Sequence, residues 1–133
     1  MSERNIATTK AIYEAVPKGD AAAVFANIDP EIHVIYYGDG SIPFAGEYKG
    51  QDGIIDFLTR VDGAVAVEKM EPKLFIAEGD NLAVWGHLWF RTKKSGRQFD
   101  SDFAHIITLR DGKWLFFRDF ANSAMASEVF RSE

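Results

Sequence analysis

Two histidines and an aspartate lie in the second half of the chain, on segments that a β-sheet would bring together. His105 and Asp119 flank the turn sequence Arg110-Asp111-Gly112, and His87 lies on the preceding segment. An imidazole beside a buried carboxylate is held in one orientation and can move a proton near neutral pH. The pattern therefore predicts acid/base chemistry, provided that the strands carry these groups on one face.

Whether His105 meets Asp119 depends on the length of the turn between their strands. With a two-residue loop at 111–112, His105 lies opposite Arg118, which favours anion binding. With a three-residue loop that includes Arg110, His105 faces Phe117 and has Asp119 as its diagonal neighbour on the same face. The residues alone leave both registers open.

The segment 83–91 has two different faces, because alternate residues of a strand share a side. Its even-numbered positions are purely apolar, which is typical of a surface that packs on helices or on a partner: Val84, Gly86, Leu88 and Phe90. Its odd-numbered positions mix aromatic rings with a titratable group, which is typical of a pocket wall: Trp85, His87 and Trp89. We therefore predict that the odd-numbered face lines a pocket.

The elements that would position these residues form two halves. The first half is mainly helical, with apolar helices ended at Pro17 and at Asp29-Pro30, a short strand at 32–37, a glycine-rich loop at 38–50 and a helix opened by Asp52. From Val65 to Ala121, three hairpin turns separate four long strands, and Ser123 is expected to cap a last helix. Helices followed by an antiparallel meander predict a single α+β domain over residues 1–133, with a curved sheet wrapped around N-terminal helices as a half-open cone.

The composition excludes several classes of protein. The 133 residues contain no cysteine, so neither a disulfide framework nor a thiolate metal site is available. The net charge of -5 disfavours nucleic acid as a partner, and no apolar run approaches the roughly 20 residues of a membrane span. No H-x-H or H-E-x-x-H spacing and no nucleotide-type glycine loop occurs, so we expect no metal and no cofactor. The default expectation is a cytoplasmic protein.

The order of elements resembles the nuclear transport factor 2-like superfamily, and within it the SnoaL-like branch of polyketide cyclase-like and ketosteroid isomerase-related proteins. Three stretches carry the resemblance: Gly19-Asp20 with the helix ending at Asp29-Pro30, the run 46–50 into the helix 54–58, and the segment from Ala104 to Phe120. It implies a cone-shaped α+β barrel and a homodimer that pairs through the sheet. Because SnoaL-like cyclases have a His on the penultimate strand and an Asp on the last, it also favours the register with Asp119 inward.

The resemblance implies roles for the other site residues. Tyr13 lies near the place of the oxyanion-hole tyrosine of ketosteroid isomerases, whereas Tyr36 or Tyr37 occupies the place of their general-base aspartate. A phenol is a poor base at neutral pH, which disfavours ketosteroid isomerase activity itself. We expect His105 to act as the acid/base and Asp119 to orient it. Tyr13 or Tyr36 would hold a carbonyl oxygen between walls formed by Trp85, His87, Trp89, Phe103 and Phe117.

The predicted function is thus binding of a small apolar molecule that bears a carbonyl group, such as a polyketide-, terpenoid- or steroid-like ring compound. If the protein is an enzyme, the reaction would be a cofactor-independent isomerisation or cyclisation by proton transfer. The alternative is a non-catalytic dimeric binding or scaffold protein whose cone is filled by its own side chains. A cavity of several hundred cubic ångströms is typical of the first class, and a filled cone is typical of the second.

Overall fold

The structure, a computed structural model, describes residues 2–133 as four helices and six strands. The helices are α1 (Ser2–Lys18), α2 (Ala21–Ala26), α3 (Gly50–Ala64) and α4 (Ser123–Arg131). The strands are β1 (Ile28–Tyr36), β2 (Gly46–Lys49), β3 (Val65–Glu78), β4 (Asn81–Thr92), β5 (Gln98–Arg110) and β6 (Lys113–Ala121). The predicted α+β class and the meander of four long strands are confirmed.

Side-chain caps set the helix ends. Gly19, with φ at +67°, follows the last residue of α1, and the Asp20 carboxylate accepts a hydrogen bond from the Ala23 amide at 3.1 Å to begin α2. At α4 the cap is Asn122, whose side chain accepts from the Met125 amide at 3.1 Å. The prediction that Ser123 caps this helix was wrong by one residue.

The six strands form one open, mixed sheet in the order β2-β1-β6-β5-β4-β3. All neighbours are antiparallel except β1 and β6, which run parallel. The strand β2 falls inside the predicted glycine-rich loop, and β1 begins four residues before the predicted strand, at Ile28. Helices α1 and α3 contact the sheet and bury its inner face, so this α+β fold has the cone-like form that the sequence predicted.

The inner face of β4 is the even-numbered one, so the predicted orientation of this strand was wrong. Val84 and Leu88 are buried, whereas Trp85 is 43% exposed. The register explains the difference, because Val84 lies opposite His105 in β5 and so shares its face. Alternation defined the two faces correctly, but the purely apolar face takes the core and the mixed face lies outside.

No helix within residues 2–133 is long and apolar enough to cross a membrane.

Candidate functional site

A β-bulge brings His105 and Asp119 together. The turn is a two-residue loop, with Asp111 and Gly112 both at positive φ (54° and 75°), so the predicted three-residue loop was wrong. A regular ladder from this turn would place Arg118 opposite His105. The register shifts by one residue instead, because Leu115 is an extra residue in β6, and His105 pairs directly with Asp119.

Tyr13, His105 and Asp119 form a polar chain between α1 and the sheet. The Tyr13 hydroxyl lies 2.6 Å from His105 Nδ1, and His105 Nε2 lies 3.3 Å from Asp119 Oδ1. A carboxylate beside Nε2 favours the tautomer that carries its proton there, which leaves Nδ1 to accept the hydrogen bond from the phenol. The structure therefore brings together the three residues that were predicted to be catalytic.

Two threonines of α1 fix the position of Tyr13. Thr8 Oγ1 donates to the carbonyl of Gly112 at 2.8 Å, and Trp114 Nε1 donates to Thr9 Oγ1 at 2.9 Å. Thr9 lies one turn before Tyr13, so both side chains face the sheet. Sequence analysis missed Thr9 and Trp114. The one signal for them was the pair of polar residues Thr8 and Thr9 one turn before Ile12 and Tyr13 on the buried side of α1, where Asn5 is polar as well.

Aromatic rings enclose the imidazole. The ring of His105 has its centroid 4.4 Å from that of Phe103 and 4.6 Å from that of Phe117. Trp114 stacks on Phe117 at 4.6 Å and meets Tyr13 edge-on at 6.1 Å. Only 6% of the His105 side chain is exposed, so these rings keep water from it. Phe103 and Phe117 thus lie buried against the histidine, and their role as walls of a ligand pocket stays a prediction.

Tyr36 belongs to the same cluster, from the other side of Asp119. It is the residue of β1 that pairs with Asp119 of β6, and its ring packs edge-on against Phe44 at 4.8 Å. Burial, and secondly the negative charge of Asp119, raise the pKa of Tyr36 and of Tyr13 far above the usual phenol range. Both tyrosines are therefore neutral hydrogen-bonding groups at any physiological pH.

A groove of about 480 Å³ lies between α1 and β3 and reaches Tyr13. Its wall has four charged residues and is otherwise apolar or aromatic, being formed by Lys10, Tyr13, Glu14, Pro17, Val67, Glu68, Lys69, Met70, Pro72 and Phe75. Tyr13 thus belongs both to the groove and to the buried polar chain. The volume is of the size that holds a small organic molecule.

The three residues predicted on the odd-numbered face of β4 lie away from this site. Trp85, His87 and Trp89 are on the outer face of the sheet, where His87 Nδ1 lies 2.7 Å from Asp102 and Nε2 lies 2.6 Å from Asp100. Hydrogen bonds to these carboxylates, first to Asp102, raise the pKa of His87.

Within residues 2–133, no set of three or more His, Asp or Glu side chains has an arrangement that could hold a metal ion.

Taken together, the fold and the buried polar chain define a cone-like α+β protein of the NTF2-like class. Residues 9–117, most of the chain, match the SnoaL-like domain family. The chain therefore belongs to the SnoaL-like family of the nuclear transport factor 2-like superfamily, as the sequence predicted. A comparison with curated proteins found no significant match.

Solved structures share this fold over almost the whole chain. An NTF2-like protein from Burkholderia xenovorans LB400 superposes with a TM-score of 0.87 at 24% identity, covering 96% of both chains. TerC, co-crystallised with polyporic acid, gives a TM-score of 0.86 at 25% identity over 96% of this chain and 98% of its own. A candidate SnoaL-like polyketide cyclase from Jannaschia sp. CCS1 gives 0.77 at 18% identity over 98% and 94%.

Proposed function

We propose that the protein binds a small, largely apolar molecule with a carbonyl or enol oxygen in the groove at Tyr13, and that it transfers a proton on this ligand. The observation that carries the proposal is the chain Tyr13–His105–Asp119, buried among aromatic rings and open to the groove at its tyrosine end. TerC, which was co-crystallised with polyporic acid, supports an aromatic, oxygen-bearing ligand. No step of the proposed chemistry requires a cofactor.

The proposed chemistry is a relay through the tyrosine. As the ligand releases a proton to the Tyr13 oxygen, the hydroxyl proton of Tyr13 passes to His105 Nδ1, and Asp119 stabilises the imidazolium that forms. The reverse transfer returns a proton to another atom of the ligand, which completes an isomerisation or closes a ring. Because burial and Asp119 raise the pKa of Tyr13, a free tyrosinate is disfavoured and the two transfers are concerted.

The first experiment measures binding and exchange separately. Polyporic acid is titrated by calorimetry, and 2-tetralone, a bicyclic ketone with acidic α-hydrogens, is incubated in D₂O and followed by NMR. We expect Tyr13→Phe, His105→Gln and Asp119→Asn to lower the enzyme-dependent deuterium incorporation at least about tenfold. Tyr37→Phe is the matched control, because Tyr37 is 40% exposed on the outer side of the sheet.

A non-catalytic binding or scaffold protein is the second candidate, and one observation favours it. His105 is almost completely enclosed by Phe103, Phe117 and Tyr13, so the polar chain also serves to hold α1 on the sheet. In that case polyporic acid binds equally to the wild type and the three variants, and 2-tetralone gains deuterium no faster than in buffer alone. The variants would then differ from the wild type only in stability.

We also propose that the protein is a homodimer, as the family resemblance implies, and a cytoplasmic one. Support for the dimer comes from the outer face of the sheet, where large apolar side chains such as Trp85 and Phe120 are more than a third exposed. Light scattering coupled to size-exclusion chromatography at micromolar concentration measures the mass directly. A mass of about one chain would contradict this part of the proposal.

A further inference from the structure

The groove between α1 and β3 has an ordered row of side chains along one face of α1. Lys10, Tyr13, Glu14 and Pro17 all line it, at the spacings that place residues on the same side of a helix. With a rise of about 1.5 Å per residue, Lys10 lies about 4.5 Å before Tyr13 along the helix axis. A ligand that lies along the helix with its oxygen at Tyr13 therefore has Lys10 beside one of its ends.

The two charged residues that β3 contributes to the wall are compensated within the protein. A carboxylate oxygen of Glu68 lies 3.2 Å from Arg91 Nε, and Lys69 Nζ lies 3.1 Å from a carboxylate oxygen of Glu71. Lys73, outside the wall, also contacts Glu71 at 3.8 Å, so the charge left over among these ion pairs is positive. Neither Glu68 nor Glu71 therefore places an uncompensated negative charge against an anionic ligand.

The two charged residues that α1 contributes, Lys10 and Glu14, have no ion pair. Among residues 2–133, no carboxylate oxygen lies within 4.0 Å of Lys10 Nζ, and no cationic nitrogen lies that close to the Glu14 carboxylate. Lysine followed by glutamate four residues later is the less favourable order for pairing along a helix. The ammonium of Lys10 instead lies 5.2 Å from the ring centroid of Phe75, another residue of the wall. Lys10 is thus a cation that the fold holds beside the groove without neutralising it.

We propose, on the basis of the ligand-binding function proposed above, that the ligand carries one carboxylate, which Lys10 binds while Tyr13 holds the carbonyl oxygen. The apolar part of the ligand then lies against Pro72 and Phe75, which belong to the same wall. Glu14, one residue beyond Tyr13, repels a second anionic group at the other end of the ligand. The substrate class is therefore a keto acid with a single charged end, and Lys10 determines that specificity.

Two ligands that share one carbon skeleton but differ in charge test the role of Lys10. They are 6-carboxy-1-tetralone, a rigid ketone with a carboxylate on its aromatic ring, and its methyl ester, and their dissociation constants are measured by calorimetry at low ionic strength. We expect the wild type to bind the carboxylate about fivefold more tightly than the ester, as an exposed ion pair allows. Lys10→Gln removes this preference, Lys10→Arg keeps it, and Glu14→Gln increases it about twofold. Lys18→Gln, an exposed residue of the same helix outside the groove, is the control with the same change of charge.

The outcomes separate the carboxylate contact from the proposed proton transfer. Equal affinity of the wild type for the two ligands, or a preference that Lys10→Gln leaves intact, overturns the role of Lys10. The Tyr13-dependent deuterium exchange of 2-tetralone, a neutral ketone, then still supports the proposed function. If neither ligand binds at millimolar concentration, the keto-acid class is overturned, and the exchange of 2-tetralone decides the proposed function by itself. Circular dichroism shows that each variant is folded.

Discussion

His105 and Asp119 face each other directly across β5 and β6, and the extra residue Leu115 puts them in register. Without the bulge, the same two-residue turn would place Arg118 beside the imidazole. The acid/base character of the site thus depends on a local irregularity of the hairpin as well as on the residue types.

Replacing Asp119 by Asn is expected to lower the pKa of Tyr13. The negative charge of Asp119 is the second cause of the raised value, after burial, so its removal leaves the phenol easier to ionise but still above its usual range. Spectrophotometric titration of tyrosinate measures the change. The titration curve of the Asp119→Asn, Tyr13→Phe double variant is subtracted from that of Asp119→Asn, which leaves the contribution of Tyr13. Asp102→Asn, on the outer face, is expected to leave the titration of Tyr13 unaltered. An equal titration in all variants would contradict the geometry.

Alkaline pH is expected to destabilise the fold through its buried tyrosines. The pKa of Tyr36 is raised in the folded state, so its contribution is fully present below the unfolded value of about 10 and is lost as pH rises towards the folded value. Urea denaturation between about pH 8 and pH 11 should therefore show a falling free energy of unfolding. The fall should be shallower in Tyr36→Phe and unchanged in Tyr37→Phe. If the free energy of unfolding falls equally with pH in the wild type and in Tyr36→Phe, a group other than Tyr36 causes the loss.

Gly86→Ala is expected to disturb the wall of the site. A Cβ at Gly86 would overlap the backbone oxygen of Glu71 and would lie 2.8 Å from the ring of Phe103, which packs on His105. We expect a loss of about 1–3 kcal/mol in the free energy of unfolding, measured by chemical denaturation. In contrast, Gly63→Ala in α3 meets open space and should stabilise by about 0.5–1 kcal/mol. Equal stability of the two variants would show that Phe103 moves aside freely.

Asp39 is expected to hold α4 against the loop that follows β1. Its carboxylate accepts hydrogen bonds from the amide of Ser41 at 2.9 Å, from Ser127 at 2.9 Å and from Arg131 at 2.7 Å. These bonds, those from Ser41 first, lower the pKa of Asp39 to about 2. The stabilisation is therefore present at neutral pH and is lost as pH falls from about 4 towards 2.

The test of this contact is hydrogen–deuterium exchange of the α4 amides. In Asp39→Asn we expect faster exchange in α4 at neutral pH and a smaller difference between neutral and acid conditions than in the wild type. Asp52→Asn, another exposed carboxylate for which the structure gives no such bonds, is the comparison variant. Protection of α4 that is the same in all three proteins would remove Asp39 from this role.

The sequence predicted the elements and most of the inner cluster, because those depend on local patterns. Periodicity and the Asp20 cap predicted the first helices, and the hairpin glycines placed the long strands. The family resemblance placed Tyr13 near the His–Asp pair. The orientation of β4 could not be predicted in the same way. Both of its faces carry large apolar or aromatic side chains. Only the pairing with β3 and β5 decides that Val84 points inward and Trp85 outward.

The bulge was outside the reach of sequence reasoning for a different reason. Leu115 is an apolar residue in a run of apolar and aromatic residues, and nothing in its type marks an interruption of the ladder. The residues allowed a two-residue turn at Asp111-Gly112, but the three-residue loop was the one predicted, and the register after the turn depends on which ladder buries Phe117. That choice is made by packing across the sheet, since the regular ladder would expose Phe117 and bury Phe116.

Leu115 also decides how sequences of relatives should be aligned with this one. A hairpin that lacks this residue would have an uninterrupted ladder and would still present Asp119 to His105, because the bulge accommodates the extra residue locally. A gap of one position between Trp114 and Phe116 therefore preserves the His–Asp pair, whereas the same gap placed after Arg118 would match Arg118 to the aspartate of the relative. The position of a single gap thus determines whether the relatives are interpreted as sharing this chemistry.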